Sequence, residues 1–136
     1  CDGAPEQAHG VIDLPLAHAG DSVIRQEVCS TGCIARTEYE VLYRTPERAL
    51  VRLRLQTGRT HQIRVHMASI HHPVAGDPVY GPHNCITSLH GQCLHAKTLG
   101  FVHPITGEYL RFDSELPDYF TRFLTTLRQR TGGNNE

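Results

Sequence analysis

Two consecutive runs of alternating polarity, Ala35 to Tyr43 and Ala49 to Gln56, dictate an antiparallel hairpin and fix what can pack around it. In the first run Ala35, Thr37, Tyr39, Val41 and Tyr43 share one face, and Arg36, Glu38 and Glu40 the other; in the second, Val51, Leu53 and Leu55 oppose Arg52, Arg54 and Gln56. Period two describes half-buried strands. The turn Thr45-Pro46-Glu47-Arg48 joins them, so the second strand presents its arginines outward. Thr57-Gly58 ends that strand and a helix follows directly. The Thr60 hydroxyl can cap it by accepting a free backbone N–H two or three residues on. The helical run extends to Ile70, with Ile63, Met67 and Ile70 on its buried face. His72-Pro73 stops the helix, because proline pushes its predecessor out of the α region. Gly76-Asp77-Pro78 then turns the chain, with Asp77 bonding backbone rather than taking part in chemistry.

The remaining segments are shorter. Val11 to Leu16 is a strand with Pro15 near its end, which suits a sheet edge. Residues 17–34 and 82–92 are loop-rich, and residues 1–9 are polar and loose. Leu94 to Val102 and Glu108 to Phe112 form a second hairpin around Pro104-Ile105-Thr106-Gly107. Pro117 to Arg130 is an amphipathic helix with Phe120, Phe123, Leu124 and Leu127 on one face, ended by Gly132-Gly133. Strands joined by hairpins and flanked by helices mean an α+β fold with a mostly antiparallel or mixed sheet. At 136 residues and 39% hydrophobic, the chain can bury one modest core. No run of about 18 apolar residues occurs, so no membrane span is expected. The chain starts at Cys1, without a basic and apolar signal segment, which suggests a piece of a longer polypeptide.

The formal net charge of −1 points to no partner, but its distribution does. Between Arg44 and Arg64 six arginines (44, 48, 52, 54, 59, 64) face the single acid Glu47. Such a stripe is either a phosphate footprint or a solvated strand face. Arg64 cannot be neutralised by deprotonation and needs an anion, supplied by a structural salt bridge or by a functional partner. The five cysteines (1, 29, 33, 85, 93) form no paired CxxC motif and read as reduced thiols of a cytosolic protein. His83-x-Cys85 with Cys93-x-His95 is the one constellation that offers four zinc ligands, at a spacing unlike known zinc modules. His61 and His66, five apart on a helix, lie about 140° apart and make no metal pair. No metal is expected from these residues.

From Gly58 to Gly81 the sequence reads GRTHQIRVHMASIHHPVAGDPVYG. This stretch resembles the signature of the RluA-like RNA pseudouridine synthases. TGCIARTEYEVL (Thr31 to Leu42) is similar to the strand before that signature, and CLHAKTLGFVHPITGEYLRFDSELPDYF (Cys93 to Phe120) to the closing strands and final helix of the family. Order and spacing agree over roughly residues 10 to 124. The resemblance implies the catalytic-domain sheet of that family, with residues 1–130 as the C-terminal portion of one such domain and 131–136 as a disordered tail.

It also implies an isomerase that detaches uracil from its ribose in ribosomal or transfer RNA, rotates it and rejoins it through carbon, in the cytoplasm, without metal or cofactor. No obligate protein partner is evident. Such an enzyme must take the base out of its stack and keep a reactive aspartate ionised. A guanidinium within about 4 Å serves that end, and in the HQIR element it is Arg64. Arg59, with His61 and Gln62, would hold the RNA backbone at the helix N-terminus. Leu94, in the LHA element, would wall the uracil or simply fill the core. Arg52 and Arg54 are assigned to phosphate positioning on charge and strand geometry. The aspartate of the family lies in an element resembling HRLDxxTSG, which does not occur in these 136 residues, and the base-packing tyrosine of a K-x-Y-x-A strand is missing too. The chain alone is therefore expected to isomerise nothing. A non-catalytic RNA-binding module and a metal-dependent hydrolase built on the histidines and Asp77 are the alternatives.

Overall fold

The computed structural model describes residues 1–20, 25–82 and 91–133, with side chains as far as residue 126. It divides into two compact units, Cys1–Cys93 and Leu94–Glu136. The first contains strands β1 (His9–Asp13), β2 (Leu16–His18), β3 (Gln26–Val28), β4 (Arg36–Arg44) and β5 (Ala49–Leu55) and helix α1 (Gln62–Ser69); the second contains β6 (Thr98–Val102), β7 (Tyr109–Asp113) and α2 (Asp118–Gly133). All the strand pairs are antiparallel, in sheets ordered β1-β4-β5, β2-β3 and β6-β7. The α+β class follows.

The alternation of β4 and β5 sets their register. Thr37 pairs with Leu55, Tyr39 with Leu53 and Val41 with Val51 on one face, and Glu38 with Arg54 and Glu40 with Arg52 on the other. A register shift between Val41 and Tyr43 ends the regular alternation before the turn. The expected Val11–Leu16 strand is two strands, β1 and β2, parted at Leu14-Pro15, because proline has no N–H to continue a ladder. The loop-rich segment contains β3, which pairs with β2. Leu16 exchanges both backbone bonds with Cys33, at 2.9 and 2.8 Å. A Cβ on Gly32 would lie 2.5 Å from the Leu16 carbonyl oxygen, so only glycine fits there.

Helix α1 departs from its expected form at both ends. His61, not Thr60, is the N-cap, in the left-handed region at φ 54°, and no side chain caps the helix. At the C-terminus His71 (φ 67°) takes the left-handed position, its N–H bonding Ala68 O while His72 N–H bonds Met67 O. These two bonds form a Schellman cap that closes the helix before Pro73 acts. The buried side is Gln62, Val65, His66 and Met67, whereas Ile63 and Ile70 are only half-buried. Buried hydrogen-bond partners for Gln62 and His66 turn the helix to that face, which hydropathy alone misplaces. The core is small-residue and partly polar: Ile12, Leu16, Ala35, Ala49, Val65, Met67, Val74 and Ala75 with Gln26, Thr37, Gln62, His66 and Asp77.

In the second unit Leu99 pairs with Phe112 and Phe101 with Leu110, and the Phe101 and Phe112 rings stack at 5.9 Å. Helix α2 runs through Gly132 and Gly133, so residues 131–133 are helical where a tail was expected. Phe120, Phe123 and Leu124 lie half-buried on the expected face; the Leu127 side chain falls outside the described residues. Among the described residues no helix is long and apolar enough to cross a membrane.

Candidate functional site

The turn from β5 into α1 is tied down by one side chain. Gln62 is 3% exposed and uses its whole amide. Its Nε2 donates to Arg36 O at 3.0 Å and Thr37 Oγ1 at 2.9 Å, and its Oε1 accepts from Thr57 Oγ1 at 2.7 Å and Arg59 N at 3.0 Å. Thr57 Oγ1 in turn accepts from Arg36 N at 2.9 Å. The residue expected to touch RNA is instead a strut with no donor or acceptor left over. In this structure Gln62 holds the loop that carries Arg59.

The strut continues inward. His66, fully buried, lies between Thr37 Oγ1 (2.8 Å from Nδ1) and Leu14 O (2.9 Å from Nε2). A carbonyl only accepts, so Nε2 carries the proton, and Thr37, which already accepts from Gln62, donates to Nδ1. No buried side-chain nitrogen or oxygen among the described residues lacks a partner.

On another side of α1 stands Arg64. Its Nε donates to Asp77 Oδ2 and its Nη2 to Asp77 Oδ1, both at 2.8 Å. Asp77 Oδ1 also accepts the N–H groups of Val79 (3.0 Å) and Tyr80 (3.1 Å), and Gly81 N–H bonds Asp77 O. A Cβ on Gly81 would come 2.4 Å from that same carbonyl oxygen, so the loop Gly76 to Gly81 is closed around the carboxylate. The Arg64 guanidinium sits 5.1 Å from the centroid of the Tyr80 ring, and Arg25 lies 5.5 Å from the same ring with its Nη1 on Val79 O. Tyr80 Oη accepts from Gln26 N and is 2.8 Å from His61 Nδ1. Asp77 therefore bonds backbone, as expected, and in addition supplies an anion for Arg64. The salt-bridge alternative for that arginine is present in the structure.

The pair uses the Nε–Nη2 side of the guanidinium alone. Nη1 and the second Nη2 hydrogen make no hydrogen bond within the described residues, and with the Arg64 side chain 11% exposed the end-on edge remains for a second acceptor. Burial acting alone would raise the Asp77 carboxyl, but the Arg64 guanidinium and the two backbone N–H groups outweigh it and hold it below its ordinary 3.8. The hydrogen bond to Asp77 moves Arg64 upward in turn. A carboxylate favoured by folding stabilises the native state above its unfolded value, and that contribution disappears as the pH falls through the lower folded value. Acid unfolding followed by circular dichroism is thus expected to lose this contribution only below pH 3.8. Asp77→Asn should flatten the stability change in that window and leave the neutral-to-alkaline slope unchanged.

The other expected residues separate. Arg59 is exposed beside the helix start, with Nε on Ile34 O at 3.0 Å. Arg52 and Arg54 do not form a bare basic stripe. Arg52 Nη2 meets Glu40 Oε2 at 2.5 Å, Arg54 lies across from Glu38, and Glu38 also takes the Gln56 amide. Arg48 pairs with Asp2. Counting acids along one strand missed the carboxylates that strand pairing brings opposite. Leu94 is half-buried in the second unit. His83 and Cys85 of the four-ligand constellation lie outside the described residues; Cys1, Cys29, Cys33 and Cys93 are free thiols.

Tyr80, Thr37 and His66 were not foreseen as parts of the site. The spacing Asp77-x-x-Tyr80-Gly81 was a legible sign of a carboxylate capping its own loop. Nothing in the sequence marks Thr37, on an apolar strand face, as the partner of a helical histidine.

Residues 1–69 match the family described as RNA pseudouridylate synthase. The chain is 47% identical over 122 residues to an uncharacterized RNA pseudouridine synthase, YlyB, of Bacillus subtilis, covering 88% of this chain and 39% of that protein. It is 41% identical over 126 residues to the ribosomal large subunit pseudouridine synthase D of Nitrosomonas europaea, covering 88% and 37%. The chain thus spans about two fifths of the length of these curated relatives. Among solved structures it is similar to human RNA pseudouridylate synthase domain containing 4, with TM-score 0.69 and 27% identity over 93% of this chain and 59% of that one.

Proposed function

Because the chain belongs to the RNA pseudouridylate synthase family, we propose that the protein of which it forms part isomerises uridine to pseudouridine in RNA, with Arg64 as the partner of the reactive aspartate. The observation that carries this reading is the guanidinium of Arg64, clamped side-on by Asp77 and offering its end-on edge. A carboxylate placed on that edge would be held ionised and oriented. In the reaction the N1–C1′ bond of uridine breaks, a C5–C1′ bond forms, the C5 proton leaves to water and N1 takes up a proton in its place. Arg59, exposed at the start of α1 and steadied by Gln62, contacts the RNA backbone. Residues 1–130 are the C-terminal portion of the catalytic domain. Ribosomal RNA is favoured over transfer RNA, because the relatives from Nitrosomonas europaea and Zymomonas mobilis are named for the large ribosomal subunit. The site of action is the cytoplasm.

With no HRLDxxTSG element among the 136 residues, the chain by itself is inactive on this reading. The test is release of tritium from uridine labelled at C5 in bulk cellular RNA. The full-length protein is expected to release it and the 136-residue chain is not. Turnover by the chain alone would overturn the role given to an aspartate outside it. Retained RNA binding with no turnover by the full-length protein would favour a non-catalytic RNA-binding module.

A further inference from the structure

We infer that Asp77 is a positioning residue: its carboxylate, fixed by the Val79 and Tyr80 N–H groups, sets which edge of Arg64 faces a second anion, while the Tyr80 ring sets the plane of the guanidinium. This deepens the synthase reading and rests on it.

A buried ion pair alone contributes little to stability, since desolvating both charges offsets most of their attraction. Here the pair is asymmetric. The carboxylate is wholly enclosed and accepts four N–H groups, whereas the guanidinium keeps three N–H donors, two of which form its end-on edge. Two side-on bonds fix the rotation of the guanidinium in its own plane, and the ring of Tyr80 limits tilting out of it. Tyr80 is itself held, by Gln26 N and by His61 Nδ1. The chain of constraint runs from backbone to Asp77 and Tyr80, then to Arg64, then to whatever anion arrives. Among the described residues, His61 and Arg25 are the other charged or titratable groups that meet this cluster. On this reading Arg64 serves two carboxylates, one structural and one reactive.

The test is Asp77→Asn in the full-length protein. Asparagine keeps an oxygen for the Val79 and Tyr80 N–H groups, but its NH₂ cannot accept from Arg64 and the charge is gone. The expected result is a fall in kcat of roughly 10–100-fold, as for a catalytic group displaced by about an ångström, with KM for RNA nearly unchanged. The acid limb of kcat should move to lower pH, because Arg64 no longer divides its charge between two carboxylates. Asp77→Glu, which keeps the charge, should recover part of kcat. An unchanged kcat and pH profile, or a loss carried wholly by KM, overturns the inference. A readout independent of turnover is the Arg64 Nε–H proton resonance, assigned with Arg64→Lys. It is expected downfield and slow to exchange in the wild type and lost in Asp77→Asn. If wild-type protein modifies no RNA, the synthase reading fails by itself, and an unaltered Nε–H signal in Asp77→Asn sinks the positioning role separately.

Discussion

Replacing Arg64 by alanine in the full-length protein is expected to lower the rate of pseudouridine formation by about 10²–10³-fold, the usual cost of removing one preorganised charge-stabilising group. Two effects combine. On the proposed reading the reactive carboxylate loses the cation that keeps it ionised and oriented, and the enclosed Asp77 is left with backbone N–H groups alone. The second effect also weakens the fold, by about 3 kcal/mol when one member of a buried pair is removed. Arg64→Lys separates the two. An ammonium restores a charge beside Asp77 but lacks the planar fork, so it can hold one carboxylate and not aim a second. Lysine is therefore expected to recover most of the thermal stability and little of the rate. RNA affinity, carried on this reading by Arg59 at the helix start, should change little in either variant. If Arg64→Lys recovers rate and stability together, the arginine is only a fold-holding ion pair, and the salt-bridge alternative is sufficient.

Much of the framework was legible because its signals are local. Alternation over Ala35–Tyr43 and Ala49–Gln56 needs only side-chain period, and the structure places Thr37, Tyr39 and Val41 opposite Leu55, Leu53 and Val51. The second hairpin and the C-terminal helix were equally visible, although α2 continues through two glycines that read as a stop. What failed was everything that depends on partners distant in sequence. Strand β3 is three residues long, too short to show periodicity, and exists because β2 lies beside it. Hydropathy places Ile63, Met67 and Ile70 on the buried face of α1, but Gln62 and His66 are drawn inward by hydrogen bonds to Arg36, Thr37 and Leu14. The arginines of β5 appeared unopposed until pairing put Glu38 and Glu40 across from them. In the site itself, Arg64 stood out as a charge in want of an anion, whereas Asp77, thirteen residues on, was visible only as a turn residue.

His66→Leu is expected to destabilise the first unit by about 2–4 kcal/mol. The side chain is fully buried and bonded at both ring nitrogens, so leucine takes the His66 partner from the Leu14 carbonyl and from the Thr37 O–H, where water cannot replace it, while Thr37 Oγ1 keeps only the bond it accepts from Gln62. For a domain near this size that loss corresponds to a fall in Tm on the order of 10–25 °C in the cooperative unit that contains it. The mechanism predicts more than the size of the effect. Thr37→Val removes one orphaned group while keeping the shape, so the double variant His66→Leu with Thr37→Val should be less destabilised than the sum of the two single changes. Additive losses would mean that His66 acts by volume and that the hydrogen-bonded chain from Leu14 to Gln62 is incidental. The same chain ends at Arg59 N through Gln62 Oε1. A break at His66 should therefore loosen the Thr57–His61 turn as well, and hydrogen exchange at the Arg59 and Gln62 amides should quicken before global unfolding. Protection at those amides that survives the substitution would confine the role of His66 to the core and detach it from the placement of Arg59.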